Sequence, residues 1–334
     1  MKKFFNFLIT TGRISLPVVF VVVFFINLSI GIVNVSPWKM FELLFQDSTE
    51  KFMIWNLRFP RVLMSTLTGM ALGLVGNIFQ AIMKNPLVDP YLIGTSAGAS
   101  FGALLGIYFL VNSITFVSVP VLSFTFAIIA SLLTVILARR NGIIPVVHLV
   151  LSGVLVSTLF SSASMLLLNL ANRTLVNGNV WLFGTFSGIT LKDISLPAIS
   201  LIILVISAFL FSSKLDVMTL GEKEAKSLGV NVEGLKWFFY LLGAFTTAAF
   251  VSKTGIIGFV GLVVPHMARI LAGPKHRNNI IATLLIGGIL LSVCDTIART
   301  LLNPIEIPVG IITSFIGAPF MFILMKMQDS SAQF

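Results

Sequence analysis

The sequence predicts an all-α polytopic membrane protein of about ten transmembrane helices, with both termini on the cytoplasmic side (N-in, C-in). Three observations predict it. Of the 334 residues 57% are hydrophobic and only 10% charged; the mean hydropathy is +1.03; and apolar runs near twenty residues recur along the whole length. A chain with thirty Phe and so few charges cannot cover its surface with polar groups in water. At a rise of ~1.5 Å per residue, about twenty apolar residues cross a hydrocarbon core of ~30 Å.

The first run, 14–33, follows the basic start MKKFFNF. It is longer than the apolar region of a secretory signal and lacks an A-x-A cleavage site, so it reads as an uncleaved helix. The second, 62–83, carries Gly69, Gly73 and Gly76; the third, 91–111, carries Gly94, Gly98, Gly102 and Gly106 four apart. That spacing lines small residues along one helical face and lets a neighbouring backbone approach. Between them Asn85, Pro86, Asp89 and Pro90 break helix and predict a tight cytoplasmic turn. The fourth and fifth runs are 114–138 and 143–170. In the fifth, Ser157, Ser161 and Ser164 share one side, with Ser152, Thr158 and Ser162 close by. Two readings stand: a polar path for solute, or hydroxyls satisfied by the carbonyl four residues back. The sixth run is 194–213, and 237–252, 255–272, 279–301 and 309–326 complete the set.

The net charge of +10 does not point to nucleic acid, because the Lys and Arg are scattered with no basic stripe or interleaved aromatics. The bilayer accounts for them. With N-in alternation, fourteen of the twenty-two fall at cytoplasmic ends, among them Lys84, Arg139, Arg140, Lys214 and Lys236. The other face keeps eight: Lys39, Lys51, Arg58, Arg61, Arg173, Lys192, Lys253 and Arg299. The one cysteine, Cys294, excludes an internal disulfide, and His148, His266 and His276 have no ligand spacing, so no metal site is expected. No inter-span segment exceeds about thirty residues, so 1–334 reads as a single transmembrane domain. No Gly-Lys pair occurs, hence no phosphate cradle for ATP; any ATP work belongs to a partner. An ion-coupled secondary transporter would hold carboxylates near mid-membrane and often show repeats. Here Asp and Glu number twelve and nearly all lie in loops or at span ends. An intramembrane enzyme would need G-x-S-x-G with a placed His, or H-E-x-x-H; the strings GTSAG and GASFG within 94–102 have no placed His, and H-E-x-x-H does not occur.

One segment breaks the pattern. LGEKEAKSLGVNVEGLK, 220–236, carries six of the 34 charges between two strongly apolar runs. At roughly 2.5–3.5 kcal/mol per charge at mid-membrane it cannot lie in hydrocarbon. Its pattern is helical: Glu222 and Lys226 form an i,i+4 pair, Ala225 and Leu228 offer an apolar face, and Gly229 can end the helix left-handed. A short amphipathic cytoplasmic helix follows, either a solvated loop or a dock for a cytosolic partner.

This segment resembles the coupling loop of FecCD-type permeases, the membrane subunits of ABC importers for iron-siderophore chelates, haem and cobalamin. RFPR at 58–61, NPLVDPYLIGTSAGASFGA at 85–103, WLFGTFSG at 181–188, GIIGFVGLVVPHMARILAGPKHR at 255–277 and CDTIARTLLNPIEIPVGIITSFIGAPF at 294–320 agree in the family's order. The resemblance implies a cobalamin-importer-permease-like subunit of ten helices, paired with a second copy or a paralogue. It further implies two cytosolic ATPase subunits that use ATP and Mg, while this chain binds no cofactor, and an extracytoplasmic solute-binding protein. Within 215–236 it implies ATPase contacts at Leu220, Gly221, Glu222, Glu224, Ala225, Leu228, Gly229 and Val230. It implies binding-protein docking at Arg58, Arg61 and, from the D-x-x-x-R pattern of Asp295, Arg299. The residues themselves also allow arginines snorkelling to lipid headgroups, and an Asp295–Arg299 pair within one helix. The membrane is then the cytoplasmic one of a bacterium or archaeon.

Overall fold

A computed structural model describes residues 2–31, 35–36, 48–113, 118–170 and 181–331, apart from the side chains of 2–14, 325 and 327–331. The expected outer-face charges Lys39 and Arg173 and the first residues of the 114–138 run lie outside the described residues. Among the described residues the regular structure is helical, save one bridge between Arg140 and Ile143. In order these are α1 Lys2–Ser29, α2 Phe59–Met83, α3 Thr95–Val111, α4 Val119–Ala138, α5 Val146–Leu170 and α6 Leu191–Leu210. There follow α7 Ser212–Leu220, α8 Glu222–Ser227, α9 Val232–Thr254, α10 Val260–Ala272, α11 His276–Thr300 and α12 Val309–Ser331.

Six helices are long and apolar enough to cross a membrane, and four shorter apolar ones lie at Ser15–Ser29, Thr95–Val111, Val260–Ala272 and Val309–Leu324. Every expected span therefore has its helix, with α7 and α8 as the wet insertion. Boundaries move where local chemistry dictates. The second span is entered through Thr49–Phe52 and a π-helical turn at Met53–Arg58, so the helical stretch starts well before position 62. The eighth is shorter than expected: Gly255 closes α9 at φ +70 and Phe259 precedes α10 at φ +68. The thirteen residues of α10 rise about 20 Å.

The contacts gather into two compact units: residues 1–77, 186–195 and 258–334, and residues 78–185 and 196–257. In the first unit a Cβ on Gly69 would strike the backbone carbonyl of Gly287, and one on Gly76 that of Gly261. Backbones touch there because the residues are small. Buried amides and hydroxyls complete this packing: Asn77 Nδ2 donates to Asn279 Oδ1 at 2.8 Å, and Asn27 Nδ2 to Ser292 Oγ at 2.9 Å. In the second unit Gly98 and Gly102 of α3 meet the carbonyls of Phe126 and Leu122 in α4. The glycine face of the third span is thus a helix–helix contact, while Gly94, at φ +81, is the left-handed junction that opens α3.

Candidate functional site

The wet segment is built from the end of α7 to the first turn of α9. Gly221 separates α7 from α8 at φ +151, open to glycine and to few other residues. Ala225 of α8 is fully buried and anchors the helix, whereas Leu228, the other residue of the expected apolar face, stands outward. Gly229 closes it at φ +79, and the Val230 N–H donates to the Ala225 carbonyl at 3.0 Å, as a left-handed helix end should. Asn231 then caps α9, accepting from the Gly234 N–H at 3.0 Å.

The charge pairing differs from expectation. Glu222 does not hold Lys226; its Oε1 lies 2.7 Å from Lys236 Nζ. Lys236 has a side-chain exposure of 0%, and its ammonium also reaches Glu233 Oε1 at 3.4 Å and the Ile144 carbonyl at 3.0 Å. Glu233 accepts from the Ile144 N–H through Oε2 at 2.9 Å. A buried ammonium draws carboxylates more strongly than an exposed one, which is why the long-range partner wins over the i,i+4 neighbour. Tyr240, one turn beyond Lys236, is buried, and its hydroxyl has no hydrogen-bond partner among the described residues.

The surface of this segment inverts the usual rule. Leu220 and Leu228 are 63% and 62% exposed, Glu224 and Gly229 are exposed, Glu222 and Val230 are half-buried, and Gly221 is buried with Ala225. Of the eight residues expected to contact an ATPase, the two leucines thus supply exposed apolar surface, while Gly221 and Ala225 shape it from behind. Lys84 Nζ donates to the Leu220 carbonyl at 3.0 Å, tying the turn after α2 to the end of α7. In that turn Asp89 Oδ1 accepts the Tyr91 N–H at 2.8 Å. Burial pushes the Asp89 carboxyl up to about 6, against the pull of that hydrogen bond.

The arginine end belongs to the first unit, and its cations are largely buried. Arg58 and Arg299 are each only 7% exposed. Arg61 forks between two carboxylates, Nη2 to Asp295 at 2.9 Å and Nη1 to Glu306 at 2.8 Å. Asp295 therefore pairs across helices with Arg61 rather than along α11 with Arg299. Arg299 instead donates to the Asn27 carbonyl and to Thr296 Oγ1, and Arg58 Nη1 to the Leu28 and Ser29 carbonyls at 3.4 Å. Arg58, Arg61 and Arg299 line one cavity of about 380 Å³ together with Glu306 and Thr190. Glu306 was missed from sequence; its signal was an acidic residue between two prolines, in PIEIP, close after Asp295 and Arg299.

The serines of α5 divide. Ser157 and Ser161 line an open groove of about 550 Å³ with Thr158 and Ser162. Ser164 lies in the buried stripe with Val156 and Phe160, and its Oγ donates to the Phe160 carbonyl at 2.8 Å. Thr158 bonds back likewise, to Val154 at 2.9 Å. The helix is otherwise apolar and outward-facing, with only 28% of its spanning window buried in the chain. No group of three His, Cys, Asp or Glu could hold a metal among the described residues. His266 is buried, with Nδ1 3.0 Å from the Leu262 carbonyl, and His276 is buried at the start of α11.

Comparison with known proteins bears on these features together. The model of the FecCD transport family matches residues 19–327. The chain is 33% identical over 316 residues to FhuG, the iron(3+)-hydroxamate import system permease protein of Bacillus subtilis, covering 92% of this chain and 94% of that one. It is 35% identical over 288 residues to BtuC, the cobalamin import system permease protein of Halobacterium salinarum, covering 85% and 76%. A solved inward-facing structure, described as that of a candidate metal-chelate type ABC transporter, superposes with a TM-score of 0.84 at 30% identity, covering 95% of this chain and 99% of that one.

Proposed function

Because this chain belongs to the FecCD transport family, we propose that it is the permease subunit of a binding-protein-dependent ABC importer, carrying an iron chelate or a cobalamin-type cargo by alternating access. The chain itself is the non-catalytic path. Two cytosolic ATPase subunits dock on α7 and α8 and hydrolyse ATP with Mg. A second copy or a paralogue completes the path, and a solute-binding protein delivers cargo at the arginine end. The protein is multi-pass in the cytoplasmic membrane, N-in and C-in.

One observation carries the reading. A charged segment between apolar helices is folded into two short helices, pinned by a fully buried lysine, with Leu220 and Leu228 standing outward. Exposed leucines flanked by charges are the composition of a protein contact, an apolar centre within a polar rim. On the path side, Ser157 and Ser161 offer hydroxyls in a groove on an otherwise apolar helix, suited to a bulky chelate that must be neither tightly held nor repelled.

The test is reconstitution with a purified cytosolic ATPase partner. Proteoliposomes should accumulate a ⁵⁵Fe(III)-hydroxamate chelate or cyanocobalamin only with ATP and the matching binding protein. Accumulation driven by an ion gradient without ATP would contradict the proposal and favour a secondary transporter.

A further inference from the structure

Lysine is almost never fully buried unless paired, and Lys236 is fully buried. Its ammonium has three donors, and three acceptors stand around it: Glu222 at 2.7 Å, the Ile144 carbonyl at 3.0 Å and Glu233 at 3.4 Å. These acceptors belong to different elements. Glu222 opens α8; Glu233 lies in the first turn of α9; Ile144 sits in the turn between α4 and α5. Glu233 closes the set by accepting the Ile144 N–H at 2.9 Å, so the turn is held through both its carbonyl and its amide.

We propose that Lys236 is the positioning residue for coupling: its ammonium ties the docking helix α8 to α9 and to the α4–α5 turn, so that the three move as one body. The inference rests on the reading of α7 and α8 as the ATPase dock. Displacement of α8 alone would break a desolvated ion pair, whereas displacement with α9 and the turn preserves every contact. The turn leads directly into α5, the helix whose Ser157 and Ser161 line the open groove. A push at Leu228 is thereby delivered to the groove helix without passing through the flexible side chains of the exposed Lys223 and Lys226.

Spin labels at Lys226→Cys and Arg140→Cys, both exposed and outside the network, report the tie once Cys294 is replaced by Ser. In the reconstituted transporter the label-to-label distance should be single and narrow, with and without ATP and vanadate. In Lys236→Gln it should become broad or bimodal, and the ratio of cargo moved to ATP hydrolysed should fall roughly ten-fold, cargo being whichever of the ⁵⁵Fe(III)-hydroxamate or cyanocobalamin the wild type carries. Glu222→Gln, which leaves Lys236 with Glu233 and Ile144, is the milder variant should Lys236→Gln not fold; it should broaden the distance and lower the ratio about three-fold. A narrow wild-type distance in both variants, with an unchanged ratio, would overturn the proposal. Wild-type permease that fails to retain the ATPase would instead overturn the docking reading, while the distance measurement on the permease alone still decides the tie.

Discussion

Two charged clusters in this chain are built on opposite plans. At the arginine end three cations face inward: Arg61 is divided between Asp295 and Glu306, and Arg58 and Arg299 are absorbed by backbone carbonyls. In the wet segment one cation, Lys236, draws in two carboxylates, while the apolar Leu220 and Leu228 stand outward. Charge count alone does not separate them: the wet segment carries six charges and the arginine end five, Arg58, Arg61, Asp295, Arg299 and Glu306. The geometry instead gives the wet segment its sticky apolar surface. It makes the arginine end a set of neutralised cations that a partner's carboxylates could engage only in exchange for Asp295, Glu306 or the carbonyls.

Variants that strand a charge should show the contrast most strongly. Asp295→Ala leaves Arg61 with only the half-exposed Glu306, and breaking such a buried pair costs about 3–5 kcal/mol. Thermal unfolding in detergent should fall accordingly, with ATPase binding by the folded fraction intact. Next, Leu228→Asp should weaken ATPase co-purification by 2 kcal/mol or more, roughly thirty-fold, while melting stays within about 1 kcal/mol of wild type. Glu306→Gln lies at the gentle end. That side chain is 40% exposed, so its loss should change stability by under about 1 kcal/mol. If Glu306 competes with the binding protein for Arg61, the same change should raise binding-protein affinity at low salt, and this gain should fade as salt is added.

A pH test probes the turn beside the wet segment. The Asp89 carboxyl is raised to about 6 when folded, so folding binds a proton between the unfolded value and 6. Its contribution is present at low pH and lost as pH rises through 6. Asp89→Asn keeps the cap on Tyr91 and should match wild type near pH 4 but be more stable at pH 8, by about 3 kcal/mol. Melting curves across that range decide it; equal melting at pH 8 would show that the carboxyl is well solvated.

Much of this was legible in sequence because membrane helices announce themselves by length and apolarity. Each of the ten runs became a helix, and the wet segment formed a short helix anchored by Ala225 and closed at Gly229, with Leu228 outward instead of on the buried face. What sequence could not supply was partner choice over distance. Glu222 has Lys226 four residues away and Lys236 fourteen away; only the fold reveals that the second is buried and so prevails. Asp295 likewise has Arg299 one turn on, yet Arg61 from another helix takes it. Burial was equally hidden: the helical stretches ending in α2 and α5 have similar hydropathies of 1.6 and 1.8, yet 83% and 28% of their spanning windows are buried. Small residues were the signal for the first, through Gly69 and Gly76; on α5 Leu151, Leu155, Leu159 and Leu166 are exposed.

The central claim is that α7 and α8 present an apolar dock for the ATPase, held in place from beneath. Its most direct test is the affinity of the detergent-solubilised permease for its purified ATPase, measured for wild type, Leu220→Asp with Leu228→Asp, and Lys223→Ala with Lys226→Ala. The account predicts that the leucine pair abolishes measurable binding while the lysine pair changes it less than about three-fold, since exposed charges contribute little. Binding that survives the leucine changes but disappears with the lysines would contradict it.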